Sequence, residues 1–223
     1  MSQDQWTAVD RYFDDLFLPP DPVLDAVLEA SAAAGLPLYQ VAPNQGRLLQ
    51  LLALIQGAHT VLEIGTLGAY STIWIARTLP PGGKLITLEA NPKYAEVASA
   101  NIARAGLAEV VDLRLGRALD TLPQIADEGH GPFDMIFIDA DKSNNADYFA
   151  WALKLSRRGS LIIIDNVVRD GAVIDAASDD PSVQGVRRVS ALLAAEPRVT
   201  VTAIQTVGSK GYDGLILALV IAD

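Results

Sequence analysis

The stretch VLEIGTLGAYST, residues 61–72, joins an apolar run, a glycine-bearing turn and the start of a helix. A short run with almost no polar position is what a strand buried on both faces requires, and such strands belong to parallel sheets covered by helices. Gly65 and Gly68 let the backbone come close to a ligand, and the first N–H groups of the following helix can meet an anionic group. The spacing is Glu63-x-Gly65-x-x-Gly68, which departs from the G-x-G-x-x-G that receives a pyrophosphate. An acid at 63 would repel pyrophosphate and suits a cationic or amino-acid-bearing ligand. Taken alone, the motif fits a plain tight turn with solvated acids equally well.

The texture on either side repeats the pattern. Further apolar runs lie at 84–88, 110–115, 133–138 and 161–164, separated by helical stretches at 71–79, 92–105, 118–126 and 146–155. Strands apolar on every position alternating with helices describe a parallel sheet covered on both faces. The ending differs: runs at 198–206 and 215–221 are joined by GSKGYDG, which suits a hairpin and closes the sheet with one antiparallel strand. Before residue 59 the spacing is helical, through Ala8, Tyr12 and Leu16, then Val23, Val27 and Leu28, with Pro19 and Pro20 between. A third helix over 44–56 carries Leu48, Leu49, Leu51 and Leu52. The expectation is a single domain, with N-terminal helices over 1–57 and an α/β core over 58–223.

Bulk properties narrow the partners. The 223 residues carry a formal net charge of −10, with 50% hydrophobic residues and no cysteine. So acidic a chain has no general attraction for nucleic acid or anionic membranes, which favours a small-molecule ligand. The lack of cysteine removes disulfides, thiolate nucleophiles and cysteine-bound zinc, and fits a cytoplasmic location. The N-terminus is broken by charges and does not read as a secretory signal, and no apolar run approaches a membrane span.

In sheets of this kind ligands sit at the carboxyl ends of the strands. Glu89 ends the second strand 24 residues past Gly65, about where an acid grips ribose hydroxyls. Gly116-Arg117-Ala118 follows the third strand and could pack against an adenine. A nucleoside ligand without phosphate recognition points to S-adenosylmethionine. Two more strands stop on acids, at Asp139 and at Asp165 with Asn166 beside it. These are hard oxygen donors of the kind Mg²⁺, Mn²⁺ or Ca²⁺ prefer. Each acid singly would more commonly cap a turn, as Asp141 is expected to do, but the set beside a nucleoside site favours a metal. His59 and His130 are far apart and make zinc improbable. Lys142, three residues past Asp139, is the candidate base; burial and a nearby cation would favour its neutral amine.

Several motifs together resemble the cation-dependent O-methyltransferases of catechol and caffeoyl-CoA type, especially small bacterial members. They are VAPNQGRLL, VLEIGTLGAYST, LITLEANP, GRAL, FDMIFIDADK, DNVV with Gly171 and Val173 following, and GYDG. The resemblance implies a Rossmann-like class I methyltransferase fold, with a mostly parallel seven-stranded sheet whose last strand is antiparallel. It implies that Val41, Glu63, Gly65, Thr66 and Ser71 hold the methionine part of S-adenosylmethionine. Glu89 would take the ribose, and Ala118 would lie by the adenine. It also implies Asp139, Asp165 and Asn166 as metal ligands (Asp139 facing the cofactor too), Lys142 as base, a phenolic or catechol-like acceptor, and a homodimer. Plant members carry an aromatic where this chain has Arg169, and Arg-Phe-Asn where it has Arg188-Val189-Ser190; both differences are expected in the acceptor pocket. A nicotinamide-dependent oxidoreductase and a non-catalytic nucleoside-binding protein of similar fold are the rival readings.

Overall fold

The computed structural model describes residues 2–222. Among them, seven strands form one sheet in the order β3-β2-β1-β4-β5-β7-β6. β1 (Thr60–Ile64), β2 (Lys84–Glu89), β3 (Val111–Leu115), β4 (Met135–Ile138) and β5 (Leu161–Asp165) are parallel. β7 (Gly211–Val220) runs antiparallel to both its neighbours, β5 and β6 (Val199–Gly208). The last strand is therefore antiparallel, as expected, and it sits inside the sheet with β6 on the edge.

The helices are α1 (Gln3–Phe17), α2 (Pro22–Ala33), α3 (Pro43–Gln56), α4 (Tyr70–Ala76), α5 (Pro92–Arg104), α6 (Ala118–Asp127), α7 (Asn145–Lys154) and α8 (Pro181–Ala195). Three of them start in the same way. Asp21, Asn91 and Asp180 accept backbone N–H bonds from the first turn, and a proline follows each at the position where its missing N–H costs nothing.

Side-chain alternation along the strands divides the core into two layers. Leu62, Ile64, Ile136, Ile138, Ile162 and Ile164 face one way, against α6, α7 and α8. Val61, Met135, Phe137 and Ile163 face the other, against residues of α2, α3, α4 and α5. Each such fully buried side chain contributes about 1.5–3 kcal/mol. That explains why strands apolar at every position read so clearly.

Three local features differ from the expectation. β3 is an edge strand and is not apolar throughout: Arg114 pairs with Asp112 and Glu128, both at 2.8 Å. Most of GSKGYDG belongs to the paired strands, and Ser209-Lys210 alone forms the turn, because Gln205–Gly208 pair residue by residue with Gly211–Gly214. The helix α8 was not anticipated, although Asp180-Pro181 marks its start.

Candidate active site

The strand register builds one rim. Ile64 pairs with Leu88 and with Ile138, and Ile138 pairs with Ile164, so Gly65, Glu89, Asp139 and Asp165 emerge side by side. They open on a cavity of about 1380 Å³, larger than the roughly 300–1,000 Å³ of a usual small-molecule pocket. Of the anticipated site residues, Val41, Gly65, Thr66, Ser71, Glu89, Ala118, Asp139, Lys142, Asp165 and Asn166 all line it.

Glu63 does not. It is fully buried beneath the wall, where its carboxyl accepts hydrogen bonds from Ser71 (2.7 Å), Thr87 (2.7 Å) and Thr72. Thr87 in turn meets Thr66 at 2.6 Å. Two residues of the cavity wall, Ser71 and Thr66, are thus tied to Glu63 directly or through one hydroxyl. Burial pushes the Glu63 carboxyl up to about 7; the three hydroxyls oppose the shift and the charge of Asp139 adds to it.

The two glycines of the first turn are needed for packing within the protein. A Cβ on Gly65, whose φ is +105°, would lie 2.3 Å from the carbonyl oxygen of Asp139. One on Gly68 would lie 2.3 Å from the Ser31 hydroxyl. Glycine at 65 therefore lets the β1 turn touch the β4 turn, and glycine at 68 lets α2 close over α4. Glu89 fixes the same turn from the other side. It accepts the Leu67 N–H at 2.8 Å and the Asn91 N–H at 2.9 Å, which leaves acceptor capacity on both oxygens.

At the next strand ends the charges crowd. Lys142 is 8% exposed and donates to Asp139 Oδ1 at 2.6 Å. Asp165 is 5% exposed, and burial first, then Asp139, push its carboxyl well above the usual carboxylate range, with Lys142 opposing. A buried and a partly buried carboxylate beside one ammonium leave negative charge under-compensated. Asn166, at φ +58°, lines the cavity beside them. Two carboxylates and an amide, all hard oxygens with surplus negative charge, fit a divalent cation of the Mg²⁺ type. Asp141 does not cap the following turn as expected, because its carboxylate takes no backbone N–H there; it accepts instead from the side chains of Ser143, Asn144 and Tyr148.

Two supporting residues had no assigned role. Asp213, on β7, accepts the N–H groups of Val168, Arg169 and Gly214 through Oδ1 and so shapes the loop that follows Asn166. Its signal was an acid inside a glycine-rich stretch. Gly185 lets α8 approach the backbone of Lys142, where a Cβ would lie 2.0 Å from the carbonyl oxygen. No local signal in the sequence marked it.

The two departures from the plant pattern separate. Arg169 lines the cavity. Residues 188–190 do not: Arg188 bonds the Ser143 carbonyl, Val189 is buried in the core and Ser190 bonds back to Val186. The helix α8 turns that trio toward structural partners, so the expectation for them is corrected.

The O-methyltransferase family model matches residues 19–221. A catechol O-methyltransferase of Niastella koreensis is 54% identical over 99% of this chain and 100% of its own. An O-methyltransferase from Bacillus cereus, solved in complex with SAH, superposes with a TM-score of 0.97 at 60% identity, covering 98% of this chain and 100% of the other. The O-methyltransferase TomG of Streptomyces achromogenes, involved in tomaymycin synthesis and solved with SAM, gives 0.96 at 49% identity, with 100% coverage of both chains.

Proposed function

The chain belongs to the O-methyltransferase family, and on that premise we propose that it transfers the methyl group of S-adenosylmethionine to one hydroxyl of a catechol-like vicinal diol, with a divalent cation. The observation that carries the reading is the shared rim. Glu89 and the glycine turn stand at one end of a single cavity, and Asp139, Lys142, Asp165 and Asn166 stand together further along it. The names of the relatives support it: one is called a catechol O-methyltransferase, and two solved structures hold SAM or SAH.

The chain's own residues then have distinct tasks. The free lone pairs of Glu89 accept the ribose hydroxyls, and Ser71 and Thr66, held by the Glu63 network, present hydroxyls to the methionine part. Ala118 offers an apolar surface to the adenine, and Val41 closes the wall. Asp139, Asp165 and Asn166 are the residues that would hold the cation, Mg²⁺ first and Mn²⁺ or Ca²⁺ as alternatives. When bound, the cation would supply Lewis acidity that lowers the pKa of an acceptor hydroxyl. Lys142, an ammonium while it donates to Asp139, would take the hydroxyl proton as a neutral amine, after giving one proton of its own to solvent. The negative charge of Asp139 favours the cationic methyl donor nearby. Holding donor and acceptor in one cavity supplies the proximity that an in-line transfer needs.

A homodimer is part of the same proposal. Val9, Tyr12, Phe13, Leu16 and Phe17 of α1 are exposed apolar residues, a surface that a partner subunit would cover.

The test is methyl transfer from labelled S-adenosylmethionine to matched acceptors, caffeic acid and p-coumaric acid, with Mg²⁺ or with excess chelator. Three oxygen donors on a six-coordinate cation leave neighbouring positions for a diol, so the diol should exceed its monohydric analogue by at least about 10² in kcat/KM. Equal values for the pair, or full activity in chelator, would refute the cation-assisted diol reading.

A further inference from the structure

The acceptor end of the cavity contains a cation without a counter-charge. The lysines and arginines that line the cavity are Lys142, Arg169 and Lys210. Lys142 is engaged with Asp139, and Lys210 Nζ donates to the Leu38 carbonyl at 2.8 Å. Arg169 is different. Its Nε is sealed from solvent with no hydrogen-bond partner, and its guanidinium forms no ion pair with any described residue. Asp213, the acid on the facing strand, uses Oδ1 for backbone N–H groups, including that of Arg169 itself at 3.1 Å. In a chain with 27 acids and 17 bases, a part-buried guanidinium left without an acid stands out, because an unsatisfied buried charge is costly.

The backbone at this position is also fixed against preference. Arg169 has φ +56°, a left-handed conformation that costs a long side chain of order 1–3 kcal/mol. The Asp213 carboxylate and the bond from Asp170 N–H to the Tyr212 carbonyl at 3.2 Å hold it there. The strand order gives the side chain its address. Glu89, Gly65, Asp139 and Asp165 follow one another along β2, β1, β4 and β5, and the loop bearing Arg169 lies beyond them, against β7. In the cofactor placement proposed above, the methionine carboxylate meets the β1 turn, two strands away. An anion that meets Arg169 would therefore come with the acceptor.

We propose that Arg169 reads a carboxylate on the methyl acceptor, so that the preferred substrates are aromatic diols bearing an acid group. A planar guanidinium binds a planar carboxylate through two parallel hydrogen bonds, a match that an ester or amide cannot supply. The net charge of −10 makes this local cation necessary, since the molecule as a whole repels anions. Lys210, at the β6–β7 turn, adds a second positive charge to the same wall. The proposal rests on the diol-methylating reading above and deepens it by naming the acceptor's other functional group.

The experiment compares kcat/KM for an acid and its methyl ester at two side-chain lengths, 3,4-dihydroxybenzoate and 3,4-dihydroxycinnamate, in the Mg²⁺-loaded enzyme. Wild type is expected to favour the acid by about 10-fold or more at one length at least, the factor of one charge-assisted hydrogen bond. In Arg169→Gln the acid-to-ester ratio should fall to about one, mainly through KM, and Arg169→Lys should retain part of it. Calorimetric binding of S-adenosylhomocysteine shows whether the variants are folded, and the wild-type ratio needs no variant at all. An ester used as well as the acid at both lengths overturns the role of Arg169, as does an equal loss on acid and ester in Arg169→Gln. Absence of transfer to any of the four compounds by wild type is a different result: it overturns the diol reading, and the carboxylate proposal with it.

Discussion

Lys142 Nζ lies 2.6 Å from Asp139 Oδ1, and both act on the charge of Asp165, which forms no ion pair of its own among the described residues. This relationship ties the candidate base to the candidate metal ligands. Lys142 is held in place by a carboxylate that a cation would engage in turn, so proton transfer and cation binding share one residue.

Lys142→Ala is expected to lower kcat by about 10²–10⁴-fold, the usual size of a general-base contribution. The deficit should shrink as the assay pH rises toward the acceptor's own ionisation, while affinity for S-adenosylhomocysteine changes little. A pH-independent loss of only a few-fold would reduce Lys142 to a counter-charge for Asp139.

Asp165→Asn should raise the melting temperature in chelator and abolish activity together with the response to Mg²⁺. Burial and Asp139 lift this carboxyl above its unfolded value. The group therefore supports the fold at low pH and loses that support as pH rises through the lifted range. At pH 8 the asparagine removes the repulsion, and each kcal/mol regained is worth roughly 2–4 °C. A lower melting temperature with an intact Mg²⁺ response would contradict the assignment.

The Glu63 network predicts a pH slope in the ligand-free protein. Its carboxyl is shifted from 4.5 up to about 7 in the fold. Its contribution is therefore fully present below about 4.5 and is lost as pH climbs to about 7. The full loss is of order 3 kcal/mol. Thermal melts of wild type between pH 5 and 8 should fall more steeply than those of Glu63→Gln; parallel curves would show that the carboxyl is ionised throughout.

For Glu89→Ala, calorimetry with S-adenosylhomocysteine should show affinity weaker by about 1–3 kcal/mol, the range for hydrogen bonds to a charged group. Glu89→Gln should lose less, because it keeps an acceptor for the Leu67 N–H. Unchanged affinity in both variants would remove Glu89 from the ribose site.

The sequence showed the parallel strands well, because Val61–Ile64 or Leu161–Ile164 face helices on both sides and have no solvent side to mark with polar residues. It showed edges and ends poorly. β3 carries Asp112 and Arg114 on an open edge, and β7 begins in Gly-Tyr-Asp-Gly, whose glycines and aspartate have poor strand propensity that pairing with β6 overrides. Within the site, the strand-end acids were legible because their position alone determines where they emerge. Whether Glu63 faces the cavity or the core depends on Ser71, Thr72 and Thr87 arriving from two other elements. The position of residues 188–190 likewise depends on how α8 packs beside Lys142. Neither can be read from local spacing.

β7 is synthesised last of the seven strands, yet it lies between β5 and β6. Until it arrives, β5 has an open side, β6 has no neighbour, and the loop from Asn166 to Arg169 lacks the carboxylate of Asp213 that orients it. Long-range pairing of this kind forms slowly compared with local contacts. A nascent chain can therefore assemble the β1–β2 end, with Glu89 and the glycine turn, well before the acceptor end exists. On this order, the end proposed to hold the nucleoside would form first, and the end proposed to select the methyl acceptor would form last.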